Sequence, residues 1–254
     1  MLKFLTWILS VCLWSAGAMA TETLRAAYED KSLPPYYTGT DGVDPVLPGF
    51  SVELLREAAK AVDIEIQFVR MPWVRCLKSL ERGEVDLTFN SSFKEDRLVA
   101  GVYPMVGNKP DASRRIATIS YVLYRLKGAP VAFTGNSITG LDGPVGAPAG
   151  YSIIEDLNKI GVKTEEAADT LTNFKKLASK RIPAVAAQDV HGDALLPDFP
   201  TIERVSPPLA SKDYFVMASH QAYDTRRELI ERLWAKLAEV RERRAAAVYA
   251  KYAR

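Results

Sequence analysis

The 254 residues carry 33 Lys and Arg against 31 Asp and Glu, a formal charge of +2, too balanced for the basic footprint that nucleic-acid binding requires. Hydrophobic residues make up 48% of the chain, so it can bury a core and is neither disordered nor collagen-like. The only cysteines are Cys12 and Cys76, which excludes a disulfide scaffold.

In chain order, Lys3 gives a positive start, an apolar run extends from Phe4 to Trp14, and Ala18-Met19-Ala20 places small residues where a signal peptidase cleaves. Residues 1–20 therefore read as a cleaved secretory leader, too short for the roughly 20 apolar residues of a membrane span. Lipid attachment at Cys12 is disfavoured, because Val11 is bulky and Cys12 lies inside the apolar run. Cys12 leaves with the leader, so Cys76 has no intrachain partner and reads as a small buried apolar side chain. Losing Lys3 lowers the formal charge of +2 by one.

Leu24 to Tyr28 is a predicted strand, and Pro34-Pro35 forces an extended turn. From Phe50 to Val62, Phe50, Leu54, Leu55, Ala58, Ala59 and Val62 recur at helical spacing. Ile64 to Phe68 alternates as a strand, Val74 to Arg82 reads as a helix stopped by Gly83, and Val85 to Phe89 is a third strand. This alternation predicts α/β architecture, with ligands bound beyond the carboxyl ends of parallel strands. Pro104 to Arg115 is a long polar stretch, followed by a strand at Ile119 to Leu126. Gly128, Gly135, Gly140 and Gly143 then mark a boundary between lobes. A second, smaller unit comprises a strand at Val145 to Pro148, helices at Ser152 to Ile160 and Thr172 to Lys180, and a strand at Pro183 to Ala187. After Pro207-Pro208 come a strand at Tyr214 to Ala218 and a long helix from Tyr223 to about Lys251, with Leu229, Ile230, Leu233, Trp234, Leu237 and Val240 as its stripe.

No Walker loop, Gly-x-Ser-x-Gly elbow, His-Glu-x-x-His or Cys-x-x-Cys occurs, so no cofactor and no catalytic residue is assigned. The group Asp189-Val190-His191-Gly192-Asp193 is weak as a metal site, because close spacing at a strand end is not ligand geometry. No metal is expected. The glycines between 140 and 150 carry no phosphate fingerprint and read as turns.

Four motifs occur in one order: Pro48-Gly49-Phe50-Ser51-Val52-Glu53-Leu54-Leu55, Pro72-Trp73-Val74-Arg75, Gly83-Glu84-Val85-Asp86-Leu87, and Ser91 to Arg97. Together with Lys212-Asp213-Tyr214-Phe215 and the closing helix, they resemble the bacterial extracellular solute-binding proteins of family 3, which serve polar amino-acid uptake. The resemblance implies the type II periplasmic binding protein fold, two lobes each with a mostly parallel sheet flanked by helices. It places residues 21–122 with 213–254 in a discontinuous first lobe and 123–212 in the second. It also implies a periplasmic, monomeric, soluble protein that captures an amino acid or related carboxylate by hinge closure for an ABC transporter permease.

By the same resemblance Arg97 grips the ligand's α-carboxylate, for which the planar guanidinium fork is suited. Ser92, Asn90 and Ser152 add polar contacts, and Trp73 lies against the ligand, where an indole offers apolar or cation–π contact. Asp189 would hold the ammonium group, and Arg75 would meet a second acidic group or pair with a neighbouring carboxylate. The sequence departs from the pattern at Lys94-Glu95-Asp96, in the length of Val106 to Arg115, and at Leu33, where an aromatic would sandwich the ligand. Tyr28, Glu29 and Tyr36 are the candidates to compensate. Two alternatives stand beside uptake: a cyclohexadienyl-dehydratase-like enzyme using Glu29 or Asp189 as general acid, and a sensor docking on a membrane signalling protein.

Overall fold

The computed structural model describes residues 22–252; the predicted leader and Cys12 lie outside this range. The first half of the chain builds β1 (Glu22–Glu29), α1 (Phe50–Lys60), β2 (Ile64–Met71), α2 (Trp73–Glu81) and β3 (Leu87–Ser92). β2, β1 and β3 are adjacent and parallel, with Glu22 opposite Ile64 and Ala26 opposite Leu87. The helices cover this sheet because their apolar residues recur every three or four positions: α1 buries Phe50, Leu54, Leu55, Ala58 and Ala59, and α2 buries Cys76 and Leu80. Gly49 begins α1 at φ +110°, and a Cβ there would lie 2.3 Å from the Tyr37 backbone. Only glycine permits that approach.

The polar stretch that follows holds a short hairpin, β4 (Met105–Val106) with β5 (Lys109–Pro110), before β6 (Ala117–Leu126). The glycine-punctuated segment holds a second hairpin, β7 (Ala132–Phe133) with β8 (Ile138–Thr139). The second half then adds β9 (Val145–Pro148), α3 (Ile153–Lys159), β10 (Thr164–Ala167), α4 (Thr170–Ala178), β11 (Ala184–Gln188) and α5 (Asp189–Leu195). The chain closes with β12 (Ile202–Ala218) and α6 (His220–Ala250). β10, β9 and β11 run parallel, with β6 antiparallel to β11. The molecule is thus a two-lobed α/β protein, with a mostly parallel sheet flanked by helices on each side.

The two sheets share one hydrogen-bonded ladder, in the order β10-β9-β11-β6-β12-β3-β1-β2. β6 and β12 join them. β12 pairs with β6 from Ile202 to Tyr214 and with β3 from Tyr214 to Ala218. Beyond the two short hairpins, three elements differ from expectation. Pro207-Pro208, read as a break, lies inside the 17-residue β12, where the register shifts between Val205 and Ala210; prolines that cannot donate to a ladder sit at such irregularities. β10 was not predicted, because Thr164-Glu165-Glu166-Ala167 has no apolar alternation and forms an exposed edge. α5 was not predicted either, as it starts directly at the end of β11.

The larger core spans both halves and includes Trp234, Leu233 and Leu237 of α6, which packs mainly against α1. A smaller one, with Val122, Tyr124, Phe174, Leu177 and Val185, holds α4 against the second sheet. Cys76 is buried and unpaired, as its apolar surroundings dictate.

Candidate ligand-binding site

The carboxyl ends of the parallel strands in both halves converge on one small cavity. Glu29 is the last residue of β1, and Asn90 and Ser92 close β3. Arg97 sits in a 3-10 turn at Glu95–Val99, and Trp73 opens α2 directly after Pro72. From the second half come Tyr151 and Ser152, between β9 and α3, and Gln188 at the end of β11. Tyr37, Tyr121 and Tyr214 complete the wall.

Arg97 is 5% exposed. Its Nη1 donates to the Ser92 carbonyl (2.6 Å) and to Ser92 Oγ (3.1 Å), and its Nη2 donates to the Gly150 carbonyl (2.9 Å). The guanidinium carbon lies 5.3 Å from the centre of the Trp73 ring. Gly150 stands at φ +73°, and its missing side chain leaves room for Trp73 and Val74. Ser92 Oγ donates to Ser152 Oγ at 2.8 Å, so both halves contribute to this corner. A guanidinium has five N–H donors. These contacts occupy at most three of them, leaving two for a carboxylate.

Glu29 forms a second corner. Its Oε2 accepts from Tyr151 Oη at 2.6 Å and from Tyr37 Oη at 3.1 Å. Burial pushes the carboxyl group up to about 7, against the opposing pull of the two phenol hydrogen bonds. A third corner is set by the ladder, in which Gln188 faces Tyr121 and Tyr214 faces Ser92. Gln188 Nε2 donates to Tyr214 Oη (2.8 Å), which donates to Tyr121 Oη (2.9 Å). Three buried atoms of the wall have no partner: Nδ2 and Oδ1 of Asn90 and Oε1 of Gln188.

Of the residues singled out by sequence, Arg97, Trp73, Ser92, Asn90, Ser152 and Glu29 line this cavity. Arg75 does not, since it lies on the exposed face of α2. Asp189 does not either. It is the half-buried first residue of α5, its Oδ1 accepting from the Val190 amide (2.8 Å), and Gln188 takes the place on the wall. Tyr28 is stacked on Phe89 in the core with its hydroxyl on the Gly42 carbonyl, and Tyr36 donates to the Thr118 carbonyl in a separate groove. Leu33 bridges to Tyr37 across the Pro34-Pro35 turn, and Tyr37 supplies an aromatic to the wall. Tyr37, Tyr121, Tyr151, Gln188 and Tyr214 were missed. For the last two the available signal was their place at the ends of predicted strands; nothing in the sequence brings the others together.

Asp193 is engaged by Tyr124 Oη (2.7 Å) and Arg204 (2.5 Å). Among the described residues no three His, Cys, Asp or Glu side chains come together to hold a metal ion. No described helix is long and apolar enough to cross a membrane.

Residues 24–100 match the bacterial extracellular solute-binding proteins, family 3. No curated protein sequence matches. Among solved structures, an ancestral arginine-binding protein bound to glutamine superposes with a TM-score of 0.68 at 19% identity, over 91% of this chain and 97% of that one. The GluR0 ligand-binding core from Nostoc punctiforme, in complex with (L)-glutamate, gives 0.67 at 19% identity, over 91% and 99%. A histidine kinase sensor domain with similarity to periplasmic binding proteins gives 0.71 at 18% identity, over 91% and 96%. The chain thus has the two-lobed fold of the periplasmic binding proteins, and over residues 24–100 it matches the family 3 solute-binding proteins.

Proposed function

We propose that this chain is a periplasmic solute-binding protein that closes around one amino acid or related carboxylate and presents it to an ABC-type permease. The observation that carries the reading is a single cavity whose wall holds one buried cation, Arg97, and one buried acid, Glu29, each fixed by hydrogen bonds. Arg97, with Ser92 and Ser152, takes the α-carboxylate. Glu29 takes the ammonium group in the place first assigned to Asp189. Trp73 packs against the ligand. Export rests on the leader at residues 1–20. The lobe limits belong to the same proposal, 21–122 with 213–254 and 123–212, supported by the change of partners along β6 and β12. Both charged groups serve binding, not catalysis.

A thermal-shift screen of amino acids, their decarboxylated amines and their deaminated acids tests the reading, because a ligand bound only by the folded state raises stability. Amino acids should shift the midpoint most. Equal shifts from the amines would refute the role of Arg97, and equal shifts from the deaminated acids that of Glu29. The similarity to a histidine kinase sensor domain supports one further reading, a ligand sensor without a transport role. Permease and ATPase genes beside this gene would favour uptake; a lone gene or a kinase neighbour would favour sensing.

A further inference from the structure

We infer that Asn90 and Gln188 select the ligand's side chain, and that the ligand is an amino acid with an uncharged polar side chain, a primary carboxamide above all. The inference rests on the reading of Arg97 and Glu29 as clamps for the α-carboxylate and α-ammonium groups, and goes beyond it by naming what remains.

Those two residues are the only charged members of the cavity wall, so once a zwitterionic head is bound no charge is left for the tail. The nearest further acid in sequence, Asp189, is turned onto its own helix start, with Oδ1 on the Val190 amide. A second ligand cation would lie in the cavity without a counter-charge, and so would a second carboxylate. Burying an unpaired charge is among the costliest events in a protein interior.

What the wall does offer is unpaired hydrogen-bonding capacity. Asn90 is 7% exposed and Gln188 is 4% exposed. Neither the Nδ2 nor the Oδ1 of Asn90 has a partner, and Gln188 Oε1 has none. Buried polar groups are almost always paired, so three orphaned atoms lining one cavity describe the group that fits them. Gln188 is held in place by its Nε2 bond to Tyr214 Oη, itself anchored on Tyr121 Oη. Its free oxygen accepts only, and the ligand must donate to it. Asn90 stands at φ +54°, in the left-handed region that asparagine tolerates better than most residues. A strained conformation at a cavity wall is a mark of function.

Together the wall presents two acceptors and an NH2 donor. A carboxamide supplies two N–H donors and one carbonyl acceptor and answers all three. A hydroxyl answers fewer, and an aliphatic chain answers none. The cavity as it stands, about 20 Å³, has room for a water molecule and not for an amino acid, so the two halves must part for the ligand to enter.

The test is calorimetry on the purified protein with glutamine, asparagine, serine, leucine, glutamate and arginine, repeated on Asn90→Gly, Gln188→Glu and Arg97→Lys. Glutamine or asparagine should bind at least tenfold tighter than leucine, glutamate and arginine. Asn90→Gly keeps the backbone conformation and removes the amide, so the preference for the carboxamide over leucine should collapse. Gln188→Glu should lower carboxamide affinity tenfold or more and raise that of arginine. Thermal melts confirm that each variant is folded, and two independent side chains are probed. If arginine, glutamate or leucine binds tightest to the wild type and Arg97→Lys weakens it, the inference is overturned while the amino-acid reading stands. An unchanged ranking in both Asn90→Gly and Gln188→Glu also overturns it. If none of the six binds, the amino-acid reading itself fails, and the inference with it.

Discussion

Glu29 occupies the end of a buried strand with two tyrosine hydroxyls on one oxygen and its second oxygen left for a ligand. Burial raises its carboxyl group from 4.5 to about 7. Between those values the folded protein holds a proton that the unfolded chain has released, so this group favours folding at low pH, and its contribution is lost as pH rises to 7. One pKa unit is about 1.4 kcal/mol, so the swing is about 3 kcal/mol. Asp30 opposes ionisation and Lys31 favours it, both weakly. Denaturant unfolding between pH 4.5 and 8 should show this decline in the wild type and a flatter profile in Glu29→Gln; identical profiles would count against it. An ammonium ligand should drive Glu29 to its charged form, releasing protons at pH 7, visible as a binding enthalpy that depends on the buffer. Arg97→Lys keeps the charge but loses the fork, and should cost about 1.5 to 3 kcal/mol of affinity in the same calorimetry. Asp189→Asn lies outside the wall and should change affinity by no more than about 0.5 kcal/mol.

The junction of β11 and α5 shows how an element boundary decides chemistry. The strand was expected at Pro183 to Ala187 and runs from Ala184 to Gln188. Gln188 is the last strand residue and faces the cavity, whereas Asp189 already begins α5 and turns its carboxylate to the Val190 amide. α5 then packs Gly192 directly under the Tyr124 ring, where a Cβ would lie 2.3 Å from the aromatic carbons. Gly192→Ala should therefore destabilise the protein by about 1 to 3 kcal/mol through overpacking, read as a lower midpoint in urea. Ligand affinity should be retained, because Tyr124 belongs to the smaller core and not to the cavity wall. A variant as stable as the wild type would show that α5 can move away without cost.

Across the molecule, the turn from Gly150 into α3 is clasped by groups carried on two strand ends, a 3-10 turn and a crossing strand. Tyr151 reaches Glu29, Ser152 meets Ser92, Gly150 accepts from Arg97, and Lys212 of β12 pairs with Asp156 at 2.5 Å and donates to the Ser152 carbonyl at 3.2 Å. The contacts of Glu29, Ser92 and Arg97 bind one half to the other at the cavity itself, whereas β6 and β12 are the covalent links between them. A hinge at the crossing strands, opening as this clasp releases, is the motion that such an arrangement permits. Small-angle scattering should show compaction when a confirmed ligand is added; superimposable curves with and without it would argue for a rigid molecule.

Local pattern was enough for the alternation of strands and helices and the apolar stripes of α1 and α6, because hydrophobic periodicity is written along the chain, while the six wall residues named beforehand came from the family resemblance and its departures. The tertiary structure decided the rest. Gln188 replaces Asp189 because α5 begins at Asp189, β12 runs through its prolines because two neighbouring strands hold it, and Tyr37, Tyr121, Tyr151 and Tyr214 meet although they are far apart in sequence. None of these follows from local pattern, since each depends on which strand lies beside which and on where a ladder ends. The raised pKa of Glu29 belongs with them, because its burial comes from both halves of the fold, with Tyr37 on one side and Tyr151 on the other.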